Sequence, residues 1–193
     1  MGEFIYLNKE GKERWEFDTP GEYVVFFHNL SGNFTFVINA PRVKLDIFGI
    51  IDGKNDAKYH IQTTQLHNAP HSTSNLLIRG VFTDQSQLHY QGLVRIEKQG
   101  QGSHAYQKNQ NLLMSDLVFV ESKPYLEILA NDVYCTHGST TGKINKDELY
   151  YLQSRGLIEQ QARRTIVNGF LSEVIEQVRT RVPQFSLPYE YTI

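Results

Sequence analysis

Cys135 and His137 are the residues of this chain whose types and spacing could do chemistry of their own. Two positions apart in an extended segment, their side chains project to the same face and could reach one metal ion or one cluster. A thiolate beside an imidazole suits iron, zinc or copper better than magnesium or calcium. The competing reading is that a single cysteine is a small buried hydrophobe, and an isolated Cys-x-His does not by itself separate the two. The pair lies in the stretch 125–142, where a strand-rich body gives way to a helical tail.

Composition narrows what can surround it. At 193 residues the chain is long enough to bury one core, with at most a small appendage. Its 19 basic and 21 acidic residues leave a net charge of -2, so no global field recruits nucleic acid or an anionic membrane, and neither is expected as a partner. One cysteine makes no internal disulfide. The first residues show no basic segment followed by an apolar run, so a cytoplasmic protein is expected. No segment approaches the ~18 apolar residues of a membrane span. Eleven tyrosines and eleven phenylalanines beside one tryptophan suit sheet faces better than a helical bundle.

The elements that must position the pair follow from pattern. Residues 23–27, 34–38 and 43–48 are β-branched and aromatic runs separated by Asn-, Gly- and Pro-containing turns, and further strands are expected over 57–63, 75–82, 88–96 and 111–119. The runs starting at Asn75 and Asn111 resemble each other at an offset of 36 residues, which would be two coils of about 18 in a β-solenoid. Regular strands joined by hairpins in a β-sandwich would look much the same, so the pattern leaves both open. His60, Gln62, Thr64, His67, His71, His89, Gln91, His104 and Gln107 fall inside the strand pattern and are expected on the outward, solvated face. Asp46, Asp52, Asp56 and Asp84 form no evident pair of the kind a glycoside hydrolase needs.

Past Gly142 the pattern turns helical. Asn145, with Glu148 three residues on, is a capping-box start for a helix over 146–155 that Gly156 can end. In a second helix Ala162, Ile166, Val167, Phe170, Leu171, Val174, Ile175 and Val178 recur at three-to-four-residue spacing until Pro183. The stripe is expected to pack on the strand body, and Tyr150, Tyr151, Arg155, Arg163 and Arg164 to form a docking edge. Residues 184–193 read as an extended tail. The chain thus divides into a strand region, 1–142, and a helical region, 143–193.

The run PYLEILANDVYCTHGSTTGKINKDELYYLQSRGLIEQQARRTIVNGFLSEVIEQV, residues 124–178, closely resembles the C-terminal signature of the SufB/SufD proteins of iron–sulfur cluster assembly. HSTSNLLIRGVF (71–82) and AYQKNQNLLMSD (105–116) resemble that family's repeated core, and before Tyr59 only compatible strand character is present. The resemblance implies a right-handed parallel β-helix followed by a small C-terminal α-helical domain. It also implies two partners: a SufC-type ABC ATPase at the C-terminal helices, with Leu149, Tyr150, Leu152 and Arg155 as the docking residues, and a second SufB/SufD-like chain, in a homodimer or heterodimer. Cys135 and His137 match the Cys-x-His-Gly of SufD-like members, whose histidine lies at the dimer interface, and this makes them the expected ligands of a transient iron–sulfur cluster.

Three departures accompany the match. Gly138 stands where SufB-like members carry a Glu. Their upstream cysteine falls by register near Val118, and the long N-terminal helical region has no room here, as in a core-only version. Residues 140–144 nonetheless resemble SufB. The expected role is a scaffold or scaffold subunit rather than an enzyme, and nothing here is expected to hydrolyse nucleotide, since no Gly-x-x-x-x-Gly-Lys-Ser/Thr occurs. The alternative is a structural member that docks the ATPase without binding a cluster.

Overall fold

A computed structural model describes residues 2–187. Its strands are β1 (Glu3–Tyr6), β2 (Arg14–Phe17), β3 (Gly21–His28), β4 (Gly32–Ile38), β5 (Val43–Gly53), β6 (Lys58–His67), β7 (Thr73–Phe82), β8 (Gln87–Ile96), β9 (Ser103–Leu113), β10 (Phe119–Ile128) and β11 (Val133–Lys143). Its helices are α1 (Leu7–Glu10), α2 (Lys146–Ser154) and α3 (Glu159–Arg181). The odd strands form one sheet in the order β1-β3-β5-β7-β9-β11, and the even strands a second, β10-β8-β6-β4-β2. Every ladder is parallel, so the chain alternates between two sheets and advances one coil at a time, a β-solenoid rather than a sandwich.

The coil length differs from expectation. Ile47 pairs with Leu76 and Leu76 with Gln107, so the repeat is 29 and 31 residues there, two strands with their turns. The offset of 36 is not the coil period: Asn75 pairs with Tyr106, and residues 111–119 are the end of β9, a turn and the start of β10. Similar apolar runs recur because every strand must face the same interior, whereas the period is set by stacking and by turn length.

The side-chain period of two sorts each strand of the odd sheet between the solenoid interior and an outer face. Phe27, Leu45, Ile47, Leu76, Ile78 and Phe82 fill the interior. Glycine is required at one of these inward positions, because a Cβ on Gly49 would stand 2.4 Å from Cζ of Phe27 in the coil below.

Outward residues Val24, Phe26, Phe48, Ile50, Leu77, Val81 and Leu112 make a second apolar cluster with Val167, Leu171, Val174 and Val178 of α3. The expected stripe therefore does pack on the strand body. Two arginines fasten it. Arg79 of β7 donates to the Phe170 carbonyl, to Glu173 and to Gln110, and Arg181 Nε donates to Asp46 Oδ2 at 2.5 Å. α2 starts where Asn145 Oδ1 accepts from the Asp147 N–H at 2.8 Å, and Gly156 follows it in the left-handed region. Phe185, in the expected tail, packs its ring 4.8 Å from Phe26; residues 188–193 of that tail lie outside the described residues. Among the described residues no helix is long and apolar enough to cross a membrane.

Candidate functional site

The last coil, β10 and β11, carries the expected site. Among the described residues both strands are edges, ten and eleven residues long, and they lie at the same end of the solenoid. The other end is closed differently, by four-residue β1 and β2 and by α1, whose Leu7 is buried. A long unpaired edge presents a row of unsatisfied N–H and C=O groups, a template for another strand. Leu117, Phe119, Tyr125, Leu126, Leu129 and Tyr134, all on this coil, are exposed large hydrophobics.

On β11 the inward positions are Cys135, His137, Ser139 and Thr141. Ser139 Oγ donates across the interior to Ser122 Oγ of β10 at 2.9 Å, which fixes this parity. Register places Cys135 beside Ala105 and His137 beside Gln107 of β9. The free thiol of Cys135 is half-buried against Val94, Ile96, Ala105 and Ala130, while His137 is exposed at the mouth. The pair is thus brought to one face, as the spacing predicts. Burial among aliphatic groups disfavours the thiolate and pushes the Cys135 thiol up to about 11 from 9.0. Iodoacetamide should therefore alkylate Cys135 at pH 7 on the order of a hundredfold more slowly than an unhindered thiol, the ratio of the two thiolate fractions. Mass-spectrometric timing of adduct formation checks this, and a rate equal to that of a free thiol would contradict it.

Beneath the pair the interior changes character along the axis. Early coils contribute Val25, Phe27, Phe34, Phe36 and Ile38; later ones contribute Thr63, Gln65, His67, Ser72 and Ser74, then Gln107, Asn109 and Asn111, all buried. This corrects the expected outward band. His60, Gln62, Thr64, His89, Gln91 and His104 do face outward, with His60 and His89 stacked at 4.8 Å, and His71 sits in an exposed turn. His67 and Gln107 do not. They occupy inward positions of β6 and β9, and polar residues alternating with polar residues leave the parity invisible in the sequence. His67 survives burial because its ring nitrogens stand 2.8 and 2.7 Å from Ser72 Oγ and Ser74 Oγ, and burial lowers its pKa to about 4.

Among the described residues no group of three or more His, Cys, Asp or Glu could hold a metal ion, so Cys135 and His137 have no third residue of these types beside them to complete such a group. Val118, where the upstream cysteine of SufB-like proteins would fall, is half-buried and packs on the interior cluster. The aspartates are separately engaged: Asp46 with Arg181 and Asn75, Asp52 with Lys54, and Asp84 with the Asn55 N–H. Of the expected docking residues, Tyr150 is exposed, Leu149 and Leu152 are half-buried, and the Arg155 guanidinium lies 5.1 Å from the centre of the Tyr151 ring. No residue of α2 is buried. Asn109, Asn111, Ser122 and Ser139, which the sequence reading did not single out, share the interior with the pair; only strand register reveals them.

Known proteins resemble this chain over most of its length. The family described as "SUF system FeS cluster assembly, SufBD core domain" matches residues 28–170, a span that starts well before the motifs quoted above. The iron–sulfur cluster assembly protein SufD of Escherichia coli is 35% identical over 113 residues, 58% of this chain and 27% of that protein. An iron–sulfur cluster assembly SufBD family protein of Synechocystis is 31% identical over 151 residues, 78% of this chain and 32% of that protein. Protein ABCI7, chloroplastic, of Arabidopsis thaliana is 35% identical over 126 residues, 62% of this chain and 26% of that protein. The chain thus spans about a quarter to a third of the length of these relatives.

Proposed function

Because the chain belongs to the SufBD core family of the SUF system for iron–sulfur cluster assembly, we propose that it is a scaffold or scaffold subunit whose open last coil receives a second chain of the same family and builds the cluster between them. The observation that carries this reading is the coincidence, on one coil, of the thiol–imidazole pair with two long unpaired edges and exposed apolar side chains. An iron–sulfur cluster usually takes four protein ligands, mostly thiolates. A two-fold axis at the mouth would bring Cys135 and His137 together twice and complete such a set. Iron and sulfide are the substrates. Each incoming iron must displace the Cys135 proton, which burial holds in place, so exchange of solvent-shielded for open geometry at the mouth favours loading.

The force for that exchange would come from a SufC-type ABC ATPase docked on α2, around Leu149, Tyr150, Leu152 and Arg155. A path from this surface to the site exists in named contacts. α2 packs on α3, α3 is held by Arg79, Arg79 reaches Gln110 of β9, and β9 is the ladder partner of β11.

Replacing Cys135 with Ser and reconstituting with iron and sulfide under anaerobic conditions should abolish the cluster absorption; an undiminished spectrum in C135S overturns the reading. The alternative, a structural member that holds the ATPase without a cluster, is favoured by the two-donor count and by Gly138 in place of a Glu. Iron and sulfide analysis of the complex co-purified with the ATPase separates the two, since the structural member would bind the ATPase yet carry no cluster.

A further inference from the structure

Side-chain hydrogen bonds between register partners of adjacent coils recur throughout this solenoid. Asn75 donates to Asp46 at 2.9 Å, Arg79 to Gln110 at 3.1 and 2.9 Å, Arg95 to Glu127 at 3.2 Å, Gln62 and Gln91 meet at 3.4 Å, and Asn111 donates to Thr141 at 3.4 Å. Each joins residues paired in the ladders. Gln107 is a gap in this series. Its Nε2 donates to the Gly92 carbonyl at 3.3 Å, across the interior, but its Oε1 is buried without a partner among the described residues. Only 1% of Gln107 is exposed, so an unpaired carbonyl there is costly. Gly92, across the interior on β8, makes room for the amide: a Cβ there would stand 2.2 Å from Gln107 Nε2 and 2.5 Å from its Cδ. The register partner of Gln107 is His137, on the adjacent strand about 4.8 Å away, and both residues occupy inward positions.

We propose that Gln107 is a positioning residue for His137: its Oε1 accepts one ring N–H, completes the series of coil-to-coil bonds, and leaves the other ring nitrogen facing the mouth beside Cys135. A histidine ligand is oriented by whatever its second nitrogen donates to, and loss of such a partner costs about 10–100-fold in metal affinity. The hydrogen bond itself needs no metal. Its consequence for ligand binding rests on the scaffold reading above, and the two are read out separately.

The full chain, labelled with nitrogen-15 histidine, is held at one alkaline pH throughout. The wild type should show a His137 ring N–H shielded from solvent exchange, assigned by its disappearance in His137→Gln. Gln107→Leu should lose that signal and Gln107→Glu, which keeps an acceptor, should retain it. Absence of a shielded ring N–H in the wild type overturns the proposal whether or not the variants fold, and so does its persistence in Gln107→Leu. Cobalt(II), read by its thiolate charge-transfer band, should bind Gln107→Leu about 10–100-fold more weakly than wild type. If cobalt does not bind the wild type in any oligomeric state the scaffold reading fails, and the ring N–H result still decides the role of Gln107.

Discussion

Leu171→Asp is expected to lift α3 off the solenoid and to lower the stability of the packed state by about 4 kcal/mol or more. Leu171 is 1% exposed and lies in the apolar cluster that α3 shares with the outer face of β3, β5 and β7. Truncating a buried leucine alone costs about 2–5 kcal/mol, and a carboxylate in that position adds the penalty of an unpaired buried charge. The helix then escapes most cheaply by detaching. Arg79 and Arg181 do not prevent this, because their carboxylate partners Glu173 and Asp46 are satisfied only while the apolar strip is in place. Detachment exposes Val24, Phe26, Phe48 and Ile50, so the variant should bind a hydrophobic dye, be cut by protease between β11 and α3, and unfold in two steps rather than one. On the scaffold reading proposed above, the contact path from α2 through α3 and Arg79 to β9 would be cut, so any response of the Cys135 site to a docked ATPase should be lost. Unchanged proteolysis and an unchanged melting temperature would contradict this account of how the helix is held.

Acid should destabilise the chain through His67 by about 3 kcal/mol between pH 6.5 and pH 4. The ring is fully buried, and burial lowers its pKa to about 4 from the model-peptide 6.5. Below pH 6.5 the unfolded chain takes up a proton that the folded chain refuses, so the contribution is complete above pH 6.5 and is lost as pH falls towards 4. At 1.36 kcal/mol per pKa unit the difference amounts to about 3 kcal/mol. His67→Gln keeps a hydrogen-bonding side chain for Ser72 and Ser74 without a titrating group. Denaturant midpoints of the two proteins, measured from pH 7 down to pH 4, should converge in acid, the wild type falling more steeply. Comparison within the pair cancels the carboxylates that also titrate, such as Asp84, which the Asn55 N–H holds below the usual range. Parallel profiles would mean that His67 is not the acid-sensitive group.

Much of this molecule is legible in its residue order. The thiol and imidazole two positions apart are enough to predict a shared face, because an extended backbone alternates sides with a fixed period. The apolar stripe of α3 predicts a packed helix, since a stripe of that width must be buried somewhere. Asn145 and Gly156 mark the ends of α2 for the same local reason: caps satisfy backbone groups within a few residues of themselves.

The coil period, the inward placement of His67 and Gln107, and the neighbours of Cys135 were decided by tertiary structure alone. A strand in which both alternate positions are polar carries no sign of which face is which, and that choice is made by the coil stacked above and below. Nor does local pattern state how many residues separate two coils, because turns of different length leave the strands in the same register. The site follows this division: Cys135 and His137 are a sequence feature, but Gln107 beside His137, Ser122 across from Ser139 and the two open edges exist only because parallel stacking brings together residues about thirty positions apart and then stops.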